Sequence, residues 1–134
     1  MRITTSAARL AILCAVLLGS PAHAVDLTGL WTTNVEDCDK VFETKGGRTS
    51  FRQDADLHGS GFIIEGNRIR GPTTSCTVTK TKEENDVVHM IASCATEIMY
   101  QNMQFSVKVG DGKITRIFPG IEGMELTYSR CPAP

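Results

Sequence analysis

Residues 76–94, CTVTKTKEENDVVHMIASC, contain two strand-like runs joined by the polar turn Glu83-Glu84-Asn85-Asp86. β-Branched residues are frequent on both sides of this turn, as is typical of a β-hairpin. A hairpin centred there places Cys76 opposite Ser93 or Cys94, within reach of a cross-strand disulfide. The segment therefore predicts an antiparallel sheet that is stapled by a Cys76–Cys94 bond.

The strand pattern continues upstream of this hairpin. Residues 61–65 and 68–70 flank Gly66-Asn67, a pair that tolerates the positive φ angles of a tight turn. Residues 27–33 form an earlier strand. Between these strands, Asn34 can cap the start of a short helix over 34–43, with Glu36 and Asp37 in its first turn.

Downstream, apolar and polar residues alternate over 104–109, and Asp111-Gly112 turns this strand into 113–118. A last strand alternates again over 124–129. The interpretation of 95–102 stays open between strand and helical turn. These patterns predict a core that contains Trp31, Phe105, Val107, Leu126 and Tyr128.

The pattern predicts an all-β fold with one short N-terminal helix. Eight or nine short strands with hairpin-length connections favour a small antiparallel β-barrel or a sandwich of about eight strands over a parallel sheet. The sequence leaves the choice between barrel and sandwich open.

The first twenty-four residues carry the signs of a cleaved signal peptide. Positive charge at Arg2 and Arg9 precedes the apolar run 10–18, and residues 21–24 end in a small-x-small pattern. The run is too short to span a bilayer, which needs roughly twenty residues. We therefore expect a single β domain over 25–134 that is exported to the periplasm or secreted and has no membrane anchor.

Four cysteines remain once Cys14 leaves with the signal peptide. In an oxidising compartment they are expected to form disulfides. If Cys76 bonds Cys94, then Cys38 pairs with Cys131. The alternative connectivity joins Cys38 to Cys76 and Cys94 to Cys131.

The charge of the mature chain is mildly negative. Without Arg2 and Arg9 it has 12 basic and 15 acidic residues, which gives a formal net charge of −3. A nucleic-acid binder would show a basic excess, so no nucleic-acid partner is expected.

Gly29-Leu30-Trp31 at the head of the first strand resembles the Gly-x-Trp signature of lipocalins, avidins and bacterial inhibitors of the alkaline-protease-inhibitor type. The resemblance implies an eight-stranded up-and-down barrel that a tryptophan closes at one end. Cys38-Asp39 resembles the Cys-Asp pair of the inhibitors, although only Val25-Asp26 precede the first strand, where those proteins carry an inhibitory tail. The whole mature chain is also similar to small exported four-cysteine bacterial β-proteins of unknown function.

Asp54-x-Asp56-x-His58 places three metal-ligand types at alternate positions, which would share one face of a strand. A solvated polar loop explains the same residues, because His58-Gly59-Ser60-Gly61 follows and no fourth ligand is evident. We favour the loop and assign no metal ligands.

Two further clusters have functional and structural interpretations. Met90, Met99, Met103 and Met124 with His89 could bind Cu(I), but methionine is also a common core filler, and we favour the core.

Four arginines would converge on an anion if the segments near Thr49 and Ile69 paired, but we favour a solvated face. These arginines are Arg48, Arg52, Arg68 and Arg70.

No motif for nucleophilic catalysis is present, since the chain lacks a Gly-x-Ser-x-Gly elbow. The sequence thus favours an exported non-enzymatic binding protein without a cofactor, whose partner is an unknown small molecule or an exported protein. The alternative is an inhibitor of a protease or other envelope hydrolase that acts through loops 45–50 or 118–123.

Overall fold

The structure is a computed structural model, and it describes residues 25–132. The expected signal peptide, residues 1–24, lies outside the described residues. The ten strands are β1 (Gly29–Thr32), β2 (Phe42–Lys45), β3 (Arg48–Phe51), β4 (Gly61–Glu65), β5 (Arg68–Arg70), β6 (Ser75–Glu84), β7 (Val87–Ala95), β8 (Tyr100–Gly110), β9 (Lys113–Ile117) and β10 (Glu125–Arg130).

Eight of the strands form a closed antiparallel barrel in the order β1-β10-β9-β8-β7-β6-β5-β4. The strands from β4 to β10 pair with their neighbours in sequence, and β1 pairs with both β4 and β10. The prediction of an antiparallel all-β fold is confirmed, and the open choice between barrel and sandwich resolves to a barrel.

The β6–β7 hairpin has the expected register, with Cys76 directly opposite Cys94. The pairing shifts between Val78 and Lys80, and the Thr79 hydroxyl at this bulge donates to the Ile91 carbonyl. A bulge bends and twists its strand more strongly, which helps a sheet to curl into a barrel.

The two ends of the barrel differ in their connections. Two-residue turns at 66–67, 85–86 and 111–112 meet at one end, which we call the short-turn end. Asp111 and Gly112 have φ angles of 51° and 68° in such a turn, which these residues tolerate. The opposite, long-loop end carries loops 71–74, 96–99 and 118–124.

The helix is shorter than expected; it follows β1, as predicted, and is therefore not strictly N-terminal. A 3₁₀ turn, Val35–Asp37, continues into α1 (Cys38–Val41), and the Asn34 side chain accepts from the Glu36 backbone N–H as predicted. The predicted helix over 34–43 ends early because Phe42 takes an extended conformation and begins β2.

A second layer packs on the outside of the barrel. Val41 and Phe42 lie against Ile63 and Cys131 in a buried cluster, and the Cys38–Cys131 disulfide ties this layer to the end of β10. Gly61 permits the close approach, because a Cβ there would lie 3.1 Å from Phe42 Cζ and 3.2 Å from Val41 Cγ1.

The barrel interior contains most of the predicted core. Trp31, Val107 and Tyr128 are buried, and Phe105 is partly buried against them. The placement of Leu126 in the core was wrong, since this side chain is 43% exposed. It lies near the start of β10, at the rim of the long-loop end.

The disulfides should differ in their contribution to stability. Replacing Cys38 and Cys131 with alanine opens a link across 93 residues and should lower the free energy of unfolding by about 4–5 kcal/mol, because the unfolded chain gains entropy. The Cys76–Cys94 link spans 18 residues, for which we expect about 3 kcal/mol. Urea unfolding of both double variants measures the difference, and the reverse order would contradict the chain-entropy argument.

Trp31→Ala should lower the free energy of unfolding by about 3–5 kcal/mol, because it leaves a cavity under the barrel wall. Leu57→Ala is the control, since Leu57 is 77% exposed and its truncation should cost less than about 0.5 kcal/mol. Denaturant unfolding gives both values. A loss below about 1 kcal/mol for Trp31→Ala would remove this residue from the core.

Candidate functional site

The barrel contains a cavity of about 320 Å³ that opens at the long-loop end, between Gly71, Thr74, Thr96 and Met99. Its volume falls at the lower end of the range for small-molecule sites, about 300–1,000 Å³. Its wall is mainly apolar and includes Leu27, Phe62, Ile64, Ile69, Met90, Met103, Phe105, Val107, Ile114 and Tyr128.

The alternation of the strands builds this wall. Val88, Met90, Ala92 and Cys94 of β7 are buried, while the residues between them face outward. The Cys76–Cys94 disulfide lines the cavity and cross-links two strands of its wall. The interior side chains are too few to fill the barrel, so an apolar space remains.

Trp31 and Arg130 close the short-turn end. The Trp31 indole Nε1–H donates to the Leu27 carbonyl at 3.0 Å, and the Arg130 guanidinium lies 4.4 Å from the centre of the indole ring. Arg130 also donates to the Thr28 carbonyl. These contacts hold Leu27 across the barrel, where its side chain forms part of the cavity floor.

Residues 25–28, which lead into β1 and which we call the entry segment, are stabilised by a hydrogen bond within the segment. The Thr28 backbone N–H donates to the Asp26 carboxylate and lowers the pKa of that group. A second space of about 270 Å³ lies between Val25–Leu27 and the 66–67 turn. Leu27, Ile64, Ile69 and Met90 line both spaces, so the two spaces are neighbours.

Arg116 brings a positive charge into the apolar wall. Its guanidinium carbon lies 5.0 Å from the ring centre of Phe105 and 4.7 Å from that of Phe118. Cation–π contacts of this kind hold a guanidinium without neutralising it. This residue was not predicted from the sequence, although its place two positions after Ile114 in an alternating strand indicates that it faces inward.

Large apolar side chains surround the cavity mouth. In loop 96–99 and at the start of β8, Ile98 is 93% exposed and Tyr100 is 72% exposed. Ile121, Met124 and Leu126 are also exposed on the neighbouring β9–β10 connection and the start of β10. Apolar side chains therefore line the cavity at its mouth and also lie on the outer surface around the mouth.

The Asp54, Asp56 and His58 motif does not share a strand face. Ala55–His58 is a 3₁₀ turn, and the His58 ring nitrogen lies 3.9 Å from the Asp54 carboxylate. Over residues 25–132, no group of three His, Cys, Asp or Glu side chains is arranged to bind a metal ion.

The fold keeps only part of the methionine cluster together and does not pair the two arginine segments. Met90, Met99 and Met103 line the cavity, but Met124 does not, and His89 bonds Ser106 on the outer face of the sheet. Thr49 and Ile69 lie in different sheets, so their segments do not pair and the condition for converging arginines is not met. Arg52 donates to the Asp39 carbonyl, while Arg70 bonds the Thr49 carbonyl and Glu65.

Comparison with protein-family models, with curated proteins and with solved structures finds no match to this chain. Among the described residues, no helix is long and apolar enough to cross a membrane. A functional proposal for this chain therefore rests on the cavity.

Proposed function

We propose that this protein is an exported, non-enzymatic binding protein that carries a small apolar or amphipathic molecule inside its barrel. The observation that carries the proposal is the apolar cavity of about 320 Å³, which is closed at the short-turn end and open at the long-loop end. A pocket with a closed end and an apolar wall favours a ligand whose apolar surface is removed from water on binding. An eight-stranded barrel has room for one small ligand.

The disulfides and the N-terminal sequence support a site of action outside the cytosol. Both disulfides staple the folded chain, and such bonds persist in oxidising compartments. Together with the signal-peptide pattern of residues 1–24, they support the periplasm as the working compartment.

A competing proposal is inhibition of an exported hydrolase through surface loops. The exposed side chain of Ile121, between Gly120 and Gly123, supports this second role. Lys45 and Arg48 flank the tight Gly46-Gly47 turn of a protruding β2–β3 hairpin, which offers a second contact. An inhibitor of this kind would not need the barrel interior.

Filling the interior should separate the two roles. We expect the uncharged dye N-phenyl-1-naphthylamine to bind the wild-type protein saturably and to fluoresce on leaving water. Met103→Trp should abolish this binding, because Met103 lines the cavity and the larger ring occupies it. Gln104→Trp is the control, since Gln104 is the next residue and faces solvent. Dye titration followed by fluorescence measures both.

Thr74→Trp provides a second filling variant at the mouth if Met103→Trp does not fold. Equal dye binding by the wild type and by both filling variants would contradict a cavity site. Inhibition of an envelope hydrolase that survives filling and is lost in Ile121→Asp would favour the competing role.

A further inference from the structure

Arg116 is the only charged side chain among the described residues that line the cavity. Arg52, Arg70 and Arg130 all donate hydrogen bonds to acceptors within the protein. Within residues 25–132, the Arg116 side chain has no hydrogen-bond acceptor and no carboxylate partner. A half-buried cation without an anion in an apolar wall is unfavourable and is relieved by an anionic partner.

The aromatic contacts leave the donors of Arg116 available. The guanidinium carbon lies over the rings of Phe105 and Phe118, at 5.0 and 4.7 Å from their centres. The five N–H donors of a guanidinium lie in its plane, and their fork matches the two oxygens of a carboxylate. Because no acceptor among the described residues bonds these N–H groups, they remain available to an acceptor on a ligand.

We infer that Arg116 binds the carboxylate of a single-chain amphipathic ligand whose apolar tail fills the barrel. This inference rests on the proposed cavity-binding function and names the chemical class of its ligand. It assigns Arg116 as the residue that selects a carboxylate over an uncharged polar group.

The position of Arg116 along the barrel agrees with this orientation. It lies near the long-loop end of β9, opposite Leu126 at the rim, whereas Ile114 lies two residues closer to the short-turn end and is buried. A carboxylate at Arg116 therefore stays near water at the mouth, which limits the cost of removing its charge from solvent. The tail then extends toward Ile114, Val107 and Leu27.

The charge of the wall limits the ligand to a single negative charge. The lining contains one cation and no acidic side chain, while Thr74, Thr96, Gln101 and Tyr128 supply its neutral polar groups. A doubly charged phosphate would leave one charge without a partner at the apolar wall, which is costly. A carboxylate matches both the charge and the geometry of one guanidinium.

Decanoate and 1-decanol test the inference, because they share a tail and differ in the head group. We expect decanoate to displace the dye from the wild-type protein at a concentration about tenfold or more below that needed for decanol. Arg116→Met should remove most of this preference, so that decanoate and decanol displace the dye at similar concentrations, because methionine keeps the apolar stem and loses the charge. Arg116→Lys should retain part of the preference, since it keeps the charge but not the fork.

The outcomes separate the inference from the function on which it rests. Equal displacement by decanoate and decanol in the wild type, or an unchanged decanoate preference in Arg116→Met, would overturn the role of Arg116 while the cavity remains a binding site. Failure of the dye and both ligands to bind would overturn both. If Arg116→Met does not fold, the wild-type comparison and Arg116→Lys still decide the matter. A purely structural role for Arg116 would weaken both ligands equally.

Discussion

The double pairing of β1 is the constraint on which the rest of the structure depends. Four residues, Gly29–Thr32, hydrogen-bond to β4 on one side and β10 on the other, and so turn an open meander into a closed barrel. Closure removes both sheet edges and faces one side of every strand toward a common interior. Trp31 lies in this strand, and its indole N–H and the Arg130 cation secure the entry segment across the short-turn end.

The outer layer reinforces the same seam. The α1 and β2–β3 segment lies between β1 and β4 in the chain and packs back over the outer face of these strands through Val41 and Phe42. The Cys38–Cys131 disulfide then joins this layer to the residue after β10. Packing and covalent linkage therefore converge on the point where the barrel closes, whereas the opposite wall is cross-linked by Cys76–Cys94 within one hairpin.

The cavity follows from the asymmetry of the two ends. Short turns and the Trp31–Arg130 contact cover one end, while longer loops surround the cavity at the other. Such an interior offers a ligand an apolar pocket away from water and a polar contact near the mouth. Arg116 occupies that position, and its two aromatic neighbours fix its orientation. The proposed carrier role and the proposed carboxylate selectivity both arise from this geometry.

The local sequence pattern predicted those features that depend on residues close in sequence. These are the strands around the 66–67, 85–86 and 111–112 turns, the cap at Asn34 and the position of Cys76 opposite Cys94. Other features depend on partners far along the chain. These are the closure of the barrel, the contact of Arg70 with Thr49 where their segments do not pair, and the exposure of Leu126. Alternation reports which face of a strand a side chain occupies, but not its depth in the barrel or what lies across from it. For that reason only the folded barrel revealed that Arg116 faces an apolar cavity without an anionic partner among the described residues.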